Sequence, residues 1–493
     1  MPSILSAVGI YLLARNLVGS RLERNRGSFL LPRLIWGLCG SNHAEDNCMK
    51  ISVVGTGYVG LVTGVCFAEK GHRVLCVDID QEKVKLINRG ISPIYERGLD
   101  DLLKKNLGLR IQATTDLHRA VHESELSLIA VGTPFDGGHI DLTYVKTVSR
   151  QIGEILKTKP GFHAVVVKST IVPGTTDEFV TPILEEASQK KAGVDFGVGM
   201  NPEFLTEGDA VHDFMFPDRI VLGGMSQRTI DMQAELYSGF SGVDVLRTNN
   251  KTAEMIKYAS NSLLATMISF SNELANLCTA LQGVDIVDVL KGVHLSRYLR
   301  VKLSDGETYV PDITSFLGAG CGFGGSCLPK DVKALVAHGT QAGVDMRLLD
   351  SVLRINEQQP VRVLDLIKKH FSDLRGVRVA ILGLAFRPDT NDMRESPAIA
   401  IVRQLLQEGA AIQAYDPAAN HEAQKVFSKG EVELARSLSE VVKGAQIIVL
   451  ATRWDEFHQL AGLLKHVPIP PLVVDGRRML DKQAFPRYEG IGL

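Results

Sequence analysis

A glycine-rich turn near the start of the chain constrains the fold more than any other feature. The apolar run 51–54 leads into Gly-Thr-Gly-Tyr-Val-Gly at 55–60, and a helical pattern follows over 61–70. A second apolar run, 73–77, ends at Asp78, eighteen residues after the last glycine. This order predicts a Rossmann unit that binds a dinucleotide: a strand, a GxGxxG turn, a helix and a second strand followed by an acidic residue.

Each glycine of this turn has a physical reason to be there. The first glycine permits a tight turn, the second lets a pyrophosphate approach the backbone, and the third lets the helix pack on the strand. Asp78 would accept hydrogen bonds from ribose hydroxyls and repel a 2′-phosphate, which favours NAD over NADP. An ordinary strand-to-helix turn is the alternative. The residues of this predicted cofactor site are Gly55, Gly57, Tyr58, Val59, Gly60 and Asp78.

Composition excludes several classes of protein. The chain has 493 residues, so it should form more than one domain. A formal net charge of −2 disfavours nucleic acid as a partner. Seven cysteines without CxxC or Cys/His spacing predict reduced thiols in a cytoplasmic protein, with no disulfide framework and no metal site.

Residues 1–48 differ from the rest of the chain. The uncharged stretch Pro2–Ala14 is too short to span a bilayer, which takes about 20 residues. Arginines follow this stretch, whereas a secretory signal has its positive charge in front. We therefore expect an extension outside the fold, with Met49 as the natural start. A membrane-surface segment is the alternative, although no membrane association is expected of the chain.

Two glutamates follow the predicted strand 196–200, in Asn-Pro-Glu-Phe-Leu-Thr-Glu-Gly at 201–208. Glu203 and Glu207 are four residues apart, and paired carboxylates near a cofactor suit general-base work because burial and mutual repulsion raise one pKa. A solvated helix start is the alternative for this segment alone. Thr133 follows another predicted strand, 126–131, at the edge where open α/β sheets bind ligands.

A long helical pattern runs from Lys251 to Gln282 and stops at Gly283. Its length predicts a spine between domains and a subunit contact. Lys257 and Asn261 are four residues apart on one face, where a cation and an amide donor suit a developing oxyanion. A solvated surface lysine is the alternative.

Phe-Gly-Gly-Ser-Cys-Leu-Pro-Lys-Asp at 323–331 is the most informative stretch. Cys327 precedes a helix whose first residue is predicted at Pro329, and Lys330 is close in sequence. This environment predicts a lowered thiol pKa and a reactive thiolate. Asp331 could act on the thiol proton or on water. The alternative is a small buried cysteine, which we expect instead for Cys66, Cys76, Cys278 and the nearby Cys321.

The second half repeats the strand-and-helix alternation, with strands predicted at 376–382, 411–416, 446–451 and 472–475. A second doubly wound sheet follows. Its glycine turn is incomplete, so a smaller nucleotide than NAD is expected there, with Arg387, Arg477 and Arg478 available for phosphate.

From Met49 to about Leu480 the chain resembles the UDP-glucose/GDP-mannose dehydrogenase family. The motifs that carry the resemblance stand in the family's order. They are GTGYVGLVTG at 55–64, SPIYERGL at 92–99, VGTP at 131–134, NPEFLTEG at 201–208, FMFPDRIVLGG at 214–224, KYASN at 257–261, FGGSCLPKD at 323–331, FRPDTNDMRESP at 386–397 and DGRR at 475–478.

The resemblance implies an α/β fold of two Rossmann-like, doubly wound parallel sheets joined by a long central helix and a helical middle region. The expected parts are the extension 1–48, an NAD-binding domain 49–245, a central dimerisation region 246–365 with the catalytic cysteine, and a nucleotide-sugar domain 366–493. It also implies a four-electron oxidation that uses two NAD⁺ in turn, with a thiohemiacetal and then a thioester on Cys327. The partners implied are a nucleotide sugar and further copies of the chain, in a homodimer or a higher homo-oligomer.

The resemblance also assigns roles to individual residues. Cys327 matches the nucleophile, Lys257 and Asn261 the oxyanion stabilisers, and Asp331 the group that assists the nucleophile and the hydrolytic water. Glu203 and Thr133 match a pair that holds a catalytic water. The remaining NAD contacts implied are Lys83, Thr133, Glu207 and Arg394. The remaining nucleotide-sugar contacts implied are Glu203, Phe204, Leu205, Lys257, Asn261, Phe316, Gly324, Arg387, Arg478 and, from a neighbouring subunit, Arg297.

Three departures from the family pattern stand out. The charged, strand-like stretch 299–314 is an insertion, which bears on the assignment of Arg297. Thr206 replaces a basic residue, and Arg97 replaces a proline.

UDP-glucose is the favoured substrate, with GDP-mannose and UDP-N-acetylhexosamines as alternatives. A two-electron hydroxyacid dehydrogenase and a catalytically inactive NAD-binding regulator are the alternatives from other classes.

Overall fold

The computed structural model describes residues 48–281, 283–303 and 306–493. The expectations for the segment before Cys48 lie outside this range. In the described part, no helix combines the length and the apolar character needed to cross a membrane. The cytoplasmic location and the domain boundaries at 245 and 365 stay predictions.

The first half forms one eight-stranded sheet in the order β3-β2-β1-β4-β5-β6-β7-β8. All neighbouring pairs are parallel except β6 with β7, which departs from the expected all-parallel sheet. The strands are β1 Lys50–Val54, β2 Arg73–Val77, β3 Ile111–Thr114, β4 Leu126–Ile129, β5 Ala164–Val167, β6 Gly197–Met200, β7 Arg219–Gly224 and β8 Asp244–Thr248. The helices between them are α1 Tyr58–Glu69, α2 Gln81–Ile87, α3 Leu99–Asn106, α4 Leu117–Glu123, α5 Thr143–Leu156, α6 Thr181–Ser188 after a π-turn Thr176–Val180, α7 Ala210–Met215 and α8 Gln227–Leu236.

The middle of the chain is helical. Its helices are α9 Asn250–Ala280, α10 Ile286–His294, α11 Leu328–Gln341 and α12 Arg347–Lys368. The predicted insertion contains a short antiparallel hairpin, β9 Val301–Lys302 with β10 Thr308–Tyr309, followed by a 3₁₀ turn Asp312–Phe316.

The second half forms a six-stranded parallel sheet in the order β13-β12-β11-β14-β15-β16, which repeats the order of the first six strands of the other sheet. Its strands are β11 Arg378–Leu382, β12 Ala411–Tyr415, β13 Val432–Leu434, β14 Ile447–Leu450, β15 Leu472–Asp475 and β16 Tyr488–Gly490. Its helices are α13 Pro397–Gln407, α14 Asn420–Val426, α15 Leu438–Val441 and α16 Leu460–Leu464, with 3₁₀ turns Asp455–Gln459 and Lys482–Ala484. Two doubly wound sheets confirm the predicted fold class.

The central strands of both sheets are buried on both faces, which explains their continuous apolar runs. In the second sheet, Val379 and Ile381 join one apolar cluster, whereas Ala380 and Leu382 join the cluster on the opposite face. Helix α9 reaches both sheets. Ala253 near its start packs into a core of the first sheet, and Ala275 near its end packs into a core of the second.

Candidate active site

The glycine turn between β1 and α1 has the shape that a bound dinucleotide needs. Gly55 has φ +100°, and a Cβ there would lie 2.7 Å from the carbonyl oxygen of Ala130. A Cβ on Gly60 would overlap the carbonyl oxygen of Gly55, whereas one on Gly57 would have no neighbour within 4 Å. The first and last glycines are therefore required by packing, and the open face at Gly57 fits a pyrophosphate at the start of α1.

Asp78 directly follows β2 and lies beside this turn, as predicted. Its Oδ2 accepts hydrogen bonds from the backbone N–H of Thr56 at 2.9 Å and from the Thr56 hydroxyl at 2.5 Å. Burial acts to raise the pKa of Asp78, but the bonds from Thr56 and Asp80 and the charge of Lys83 outweigh it and lower the pKa. Asp78 is thus an ionised acceptor, and Lys83 lies within its electrostatic reach.

Cys327 is the residue immediately before α11, so its predicted place at a helix start is correct. The predicted lowering of its pKa is wrong. Burial raises the pKa of the thiol to about 11, and the charges of Glu203 and Asp331 also raise it, against the lowering effect of Lys257. The thiol of Cys327 therefore rests protonated. Its sulfur lies 3.6 Å from the Ser326 hydroxyl.

The cation that bears on Cys327 comes from α9 and not from Lys330. Lys257 Nζ lies 2.9 Å from Glu203 Oε1, with side chains only 4% and 5% exposed. Burial acts to lower the pKa of Lys257, but Glu203, Cys327 and Asp331 outweigh it and raise the pKa. Lys257 is a buried cation, and the alternative of a solvated surface lysine is wrong.

Asp331 lies one turn into α11 and is fully buried. Its Oδ2 accepts a 2.6 Å hydrogen bond from Asn261 Nδ2, and its Oδ1 lies 2.6 Å from Lys330 Nζ. Lys330, which the sequence placed beside the thiol, is therefore held by this carboxylate. The pair Asn261 and Asp331 ties α9 to α11 next to Lys257.

The two glutamates of the 201–208 segment have separate partners. Glu203 accepts from the backbone N–H of Leu205 at 2.7 Å as well as pairing with Lys257. Burial acts to raise the pKa of Glu203, but Lys257 and that hydrogen bond lower it below its ordinary value. Burial and the charge of Asp392 raise the pKa of Glu207 to about 8. One glutamate has a raised pKa, as predicted, but its second cause is Asp392.

Glu207 joins three parts of the chain. Its Oε1 accepts hydrogen bonds from the Ser326 hydroxyl at 3.1 Å and from Arg394 Nη2 at 3.3 Å. Arg394 also binds Asp392 through two guanidinium nitrogens, at 2.9 and 2.6 Å. The Glu207 carboxylate therefore joins the first half of the chain to the loop that carries Ser326 and to the loop after β11 that carries Arg394.

Three other assigned residues have contacts of their own. Thr133 is buried and donates its hydroxyl to the carbonyl oxygen of Thr170 at 2.8 Å. The Phe204 ring lies 5.7 Å from Lys257 Nζ, and the guanidinium of Arg219 stacks on it at 3.9 Å. Gly324 needs its small size, because a Cβ there would overlap the carbonyl oxygen of Glu395.

The residues assigned to the nucleotide sugar fall in different environments. Phe316 and Arg387 are half-buried, and Arg297 is exposed with its guanidinium 5.4 Å from the Tyr298 ring. Arg478 is tied to Asp285 through Nη2 at 2.7 and 2.8 Å, so a phosphate contact there would have to compete with this ion pair. Arg477 donates to Gly322 and Ala451.

Sequence reasoning missed several residues of the site. Lys168 after β5 is fully buried and donates to Asn201 Oδ1 at 2.9 Å. Glu96 accepts from the Tyr58 hydroxyl and from the backbone N–H groups of Gly208 and Ala210 at 2.9 and 3.0 Å. Glu96 lies within the motif at 92–99, whereas Lys168 lies in none of the motifs noted in the sequence. The partners of both residues are more than 30 residues away, so no local pattern reveals them.

The remaining described cysteines differ from Cys327. Cys66, Cys76, Cys278 and Cys321 are buried, as expected, and Cys48 is exposed. Burial raises the pKa of Cys76 to about 12 and also raises that of Cys321. The buried cation Lys257 acts on Cys327, whereas the cations that act on Cys321 are Arg477 and Arg453.

Three models of one family match the chain in sequence. The NAD binding domain of the UDP-glucose/GDP-mannose dehydrogenase family matches residues 49–241, the central domain 251–358 and the UDP binding domain 380–482. The cofactor is therefore NAD, as predicted, and the second sheet belongs to a nucleotide-sugar domain.

Individual relatives cover almost the whole described chain. A UDP-glucose 6-dehydrogenase of Haloferax volcanii is 40% identical over 448 residues, which are 90% of this chain and 100% of the relative. A GDP-mannose 6-dehydrogenase of Pseudomonas aeruginosa is 39% identical over 459 residues, with 90% and 100% covered. The solved structure of a UDP-glucose dehydrogenase from Pyrobaculum islandicum aligns with TM-score 0.82 at 36% identity, over 94% of this chain and 100% of that one. The chain belongs to the UDP-glucose/GDP-mannose dehydrogenase family.

Proposed function

We propose that the protein oxidises UDP-glucose to UDP-glucuronate, with four electrons passing to two NAD⁺ and with a thioester on Cys327 as the last covalent intermediate. The observation that carries this proposal is the buried cation Lys257, which bears on the Cys327 thiol while Asn261 lies one helical turn along the same face. A simple alcohol dehydrogenase has no need for a nucleophilic cysteine in such a position.

The residues around Cys327 have different roles in the covalent steps. The thiol adds to an aldehyde carbon, so an S–C bond forms, the thiol proton leaves, and the former carbonyl oxygen becomes an oxyanion. Lys257 and Asn261 stabilise that oxyanion. Asp331 orients Asn261 through the 2.6 Å hydrogen bond and keeps Lys330 away from the thiol. In the final step, water adds to the thioester, the C–S bond breaks, and Cys327 regains a proton.

The residues of the glycine turn and its surroundings fit the cofactor. Gly57 leaves the pyrophosphate room, and Asp78 is the acceptor proposed for the ribose. The further NAD contacts proposed are Lys83, whose charge acts on Asp78, and the hydrogen-bonded pair of Glu207 and Arg394. When bound, NAD⁺ supplies the hydride acceptor. Asp78 also places a negative charge where a 2′-phosphate would come, which favours NAD⁺ over NADP⁺.

UDP-glucose is preferred over the alternatives on two grounds. Several of the most similar relatives are UDP-glucose 6-dehydrogenases, and the aligned Pyrobaculum islandicum structure has the same activity in its name. GDP-mannose 6-dehydrogenases are nearly as similar, at 39% identity, so GDP-mannose is the second candidate.

Counting NADH per sugar consumed tests both the substrate and the route. Purified protein is mixed with NAD⁺ and UDP-glucose, GDP-mannose or a UDP-N-acetylhexosamine in parallel. We expect two NADH per UDP-glucose and little turnover of the others. Cys327→Ala should form no uronate. One NADH per sugar would contradict the thioester route, and preference for another sugar would contradict the substrate.

We also propose that the chain assembles at least as a homodimer through α9. Leu263, Phe270 and Leu277 recur every seven residues on this 31-residue helix, and each is about half exposed at 53%, 48% and 55%. A seven-residue spacing keeps apolar side chains on one helix face, as in helix-to-helix contacts between chains. The assignment of Arg297 to a neighbouring subunit's substrate site depends on this assembly.

A further inference from the structure

The thiol of Cys327 carries a proton that the proposed reaction must remove and later return. Burial keeps this thiol protonated at rest, with a pKa of about 11. When the sulfur adds to an aldehyde carbon, the proton needs an acceptor within reach, because the thiolate and not the thiol is the nucleophile. The groups around the sulfur decide which acceptor takes it.

Two charged groups near the sulfur are poorly suited to this task. Lys257 is a cation within a buried ion pair, so its ammonium has no lone pair to offer. Asp331 accepts hydrogen bonds from Asn261 and Lys330, each at 2.6 Å and one on each carboxylate oxygen. In the described chain, no hydrogen bond joins this carboxylate to the Cys327 sulfur. Both oxygens of Asp331 are therefore engaged elsewhere before the reaction begins.

The Ser326 hydroxyl connects the sulfur to a different carboxyl group. Its oxygen lies 3.6 Å from Cys327 Sγ and donates a hydrogen bond of 3.1 Å to Glu207 Oε1. Because the single hydroxyl proton goes to Glu207, the Ser326 oxygen is left to accept from the thiol. The hydrogen bonds therefore run from Cys327 through Ser326 to Glu207, which is the direction in which the thiol proton has to move.

Backbone contacts hold the loop that carries Ser326 against the loop after β11. The N–H of Gly325 donates to the carbonyl oxygen of Arg394 at 2.9 Å. Gly324 packs so closely on the carbonyl oxygen of Glu395 that a Cβ would overlap it. These contacts fix the chain just before Ser326, so its hydroxyl is held near both of its partners.

Glu207 can take up and release a proton near neutral pH. Its side chain is 10% exposed, and that of Asp392 is 12% exposed. Burial, the charge of Asp392 and a hydrogen bond between the two carboxyl groups raise the pKa of Glu207 to about 8, against the lowering effects of Arg394 and Ser326. Tyr58 also lies within electrostatic reach of Glu207, and its raised pKa keeps it neutral. A base is most effective when its pKa lies near the working pH.

We propose that Ser326 passes the thiol proton of Cys327 to Glu207, which holds it beside Asp392 while the sugar is bonded to sulfur and returns it by the same route. This inference rests on the proposed function and deepens it. Ser326 touches the reacting thiol, whereas Asp392 acts through Glu207 and is a positioning residue.

Bonds and protons balance in both directions. In the addition step, the S–C bond forms, the thiol proton moves to the Ser326 oxygen, and the Ser326 proton moves to Glu207 Oε1. Loss of hydride then gives the thioester and moves no proton. In the hydrolysis, a water oxygen bonds to the thioester carbon, the C–S bond breaks, and the sulfur recovers the stored proton through Ser326. Both water protons are released, one on addition and one when the carboxylic acid ionises.

Removal of the Ser326 hydroxyl tests this relay. Ser326→Ala lacks the hydroxyl, Ser326→Thr keeps it, and Ser351→Ala removes an exposed hydroxyl on α12 as the matched control. Each full-length protein is mixed rapidly with NAD⁺ and UDP-glucose over a series of pH values, and the two successive phases of NADH formation are followed by absorbance. Thermal melts and titration with NAD⁺ check the fold and the cofactor site.

We expect Ser326→Ala to form the first NADH at the rate of the unmodified protein and the second about a hundredfold more slowly, at the lower end of general acid–base effects. Ser326→Thr should restore most of the second phase. In the unmodified protein, the rate of the second phase should rise with pH through about 8, because Glu207 accepts a proton only when it is ionised. Ser326→Ala should lose this inflection.

A second variant tests the carboxyl pair and leaves Ser326 in place. The charge of Asp392 raises the pKa of Glu207, so Asp392→Asn should move the inflection to lower pH. An inflection that stays in place in this variant would overturn the proposal.

The proposal would also be overturned by equal second phases in Ser326→Ala and Ser351→Ala, or by equally slow second phases in Ser326→Ala and Ser326→Thr. A slow second phase in Ser326→Ala with its pH inflection intact would have the same consequence, because the proton would then reach its acceptor without Ser326. One NADH per sugar in the unmodified protein would instead refute the proposed function.

Discussion

Lys257 and Glu203 form a buried ion pair, with Nζ 2.9 Å from Oε1 and both side chains at most 5% exposed. The pair joins α9 to the loop after β6, so it holds together the two elements that flank the Cys327 thiol. Each charge is compensated by the other, and removal of one would leave the other buried without a partner.

Glu203→Gln should therefore destabilise the protein by about 3–5 kcal/mol. Chemical denaturation, followed by far-UV circular dichroism, measures the loss. Glu178→Gln opens the exposed pair of Glu178 with Lys251 and should leave stability unchanged within error. Equal effects of the two substitutions would show that the buried pair contributes no more than a surface pair.

The alkylation of Cys327 should be slow at neutral pH in the cofactor-free protein. With a thiol pKa of about 11, only about one molecule in ten thousand carries the reactive thiolate at pH 7. The rate with iodoacetamide, followed peptide by peptide, should rise about tenfold per pH unit from 7 to 10. Exposed Cys48 serves as the internal reference.

Lys257→Met should slow the alkylation of Cys327 further, because Lys257 is the charge that lowers the thiol pKa. Lys251→Met, on the exposed start of the same helix, should leave the rate unchanged. Fast alkylation of Cys327 at pH 7 would contradict this prediction, because it would mean that the helix start and Lys257 lower the thiol pKa more than burial raises it.

Substitution of Gly57 should weaken NAD⁺ binding without affecting folding, whereas substitution of Gly60 should destabilise the fold. Gly57→Ala adds a methyl group into open space, so the melting temperature should hold while the dissociation constant for NAD⁺ rises at least about tenfold, since the methyl group blocks the pyrophosphate. Gly60→Ala forces a Cβ against the carbonyl of Gly55 and should lower the melting temperature. Thermal melts and calorimetric titration with NAD⁺ measure the two effects.

Phe270→Glu should break the proposed assembly. A carboxylate at the centre of the apolar face of α9 would be buried without a partner in the dimer, which should raise the dimer dissociation constant at least about tenfold. Light scattering after size exclusion measures the mass. Tyr144→Glu, at an exposed aromatic on α5, is the control. A dimer unchanged by Phe270→Glu would place the interface elsewhere.

Much of the fold follows from local sequence. The apolar runs of β1, β2 and β15, the glycines of the first turn and the start of α11 were predictable because each depends on neighbours within a few residues. The boundaries of α9 also agree closely, since its pattern is long and periodic.

The charges that act on Cys327 could not be predicted from local sequence. Lys330 is three residues from the cysteine, yet it binds Asp331, and the cation that acts on the thiol is Lys257, seventy residues earlier. Likewise Glu207 is paired in sequence with Glu203, but its raised pKa depends on Asp392, 185 residues later. These relationships arise only when α9, α11 and the loop after β11 pack together.

Helix α9 has one more consequence. It carries Lys257 and Asn261 in its first half and the proposed contact face from Leu263 to Leu277 directly after them, all on one uninterrupted rod about 46 Å long. Such a rod is stiff along its axis. In the proposed dimer, a displacement of Phe270 along the helix axis would also displace the ammonium of Lys257, so the proposed contact between copies and the position of the proposed oxyanion donors would be coupled.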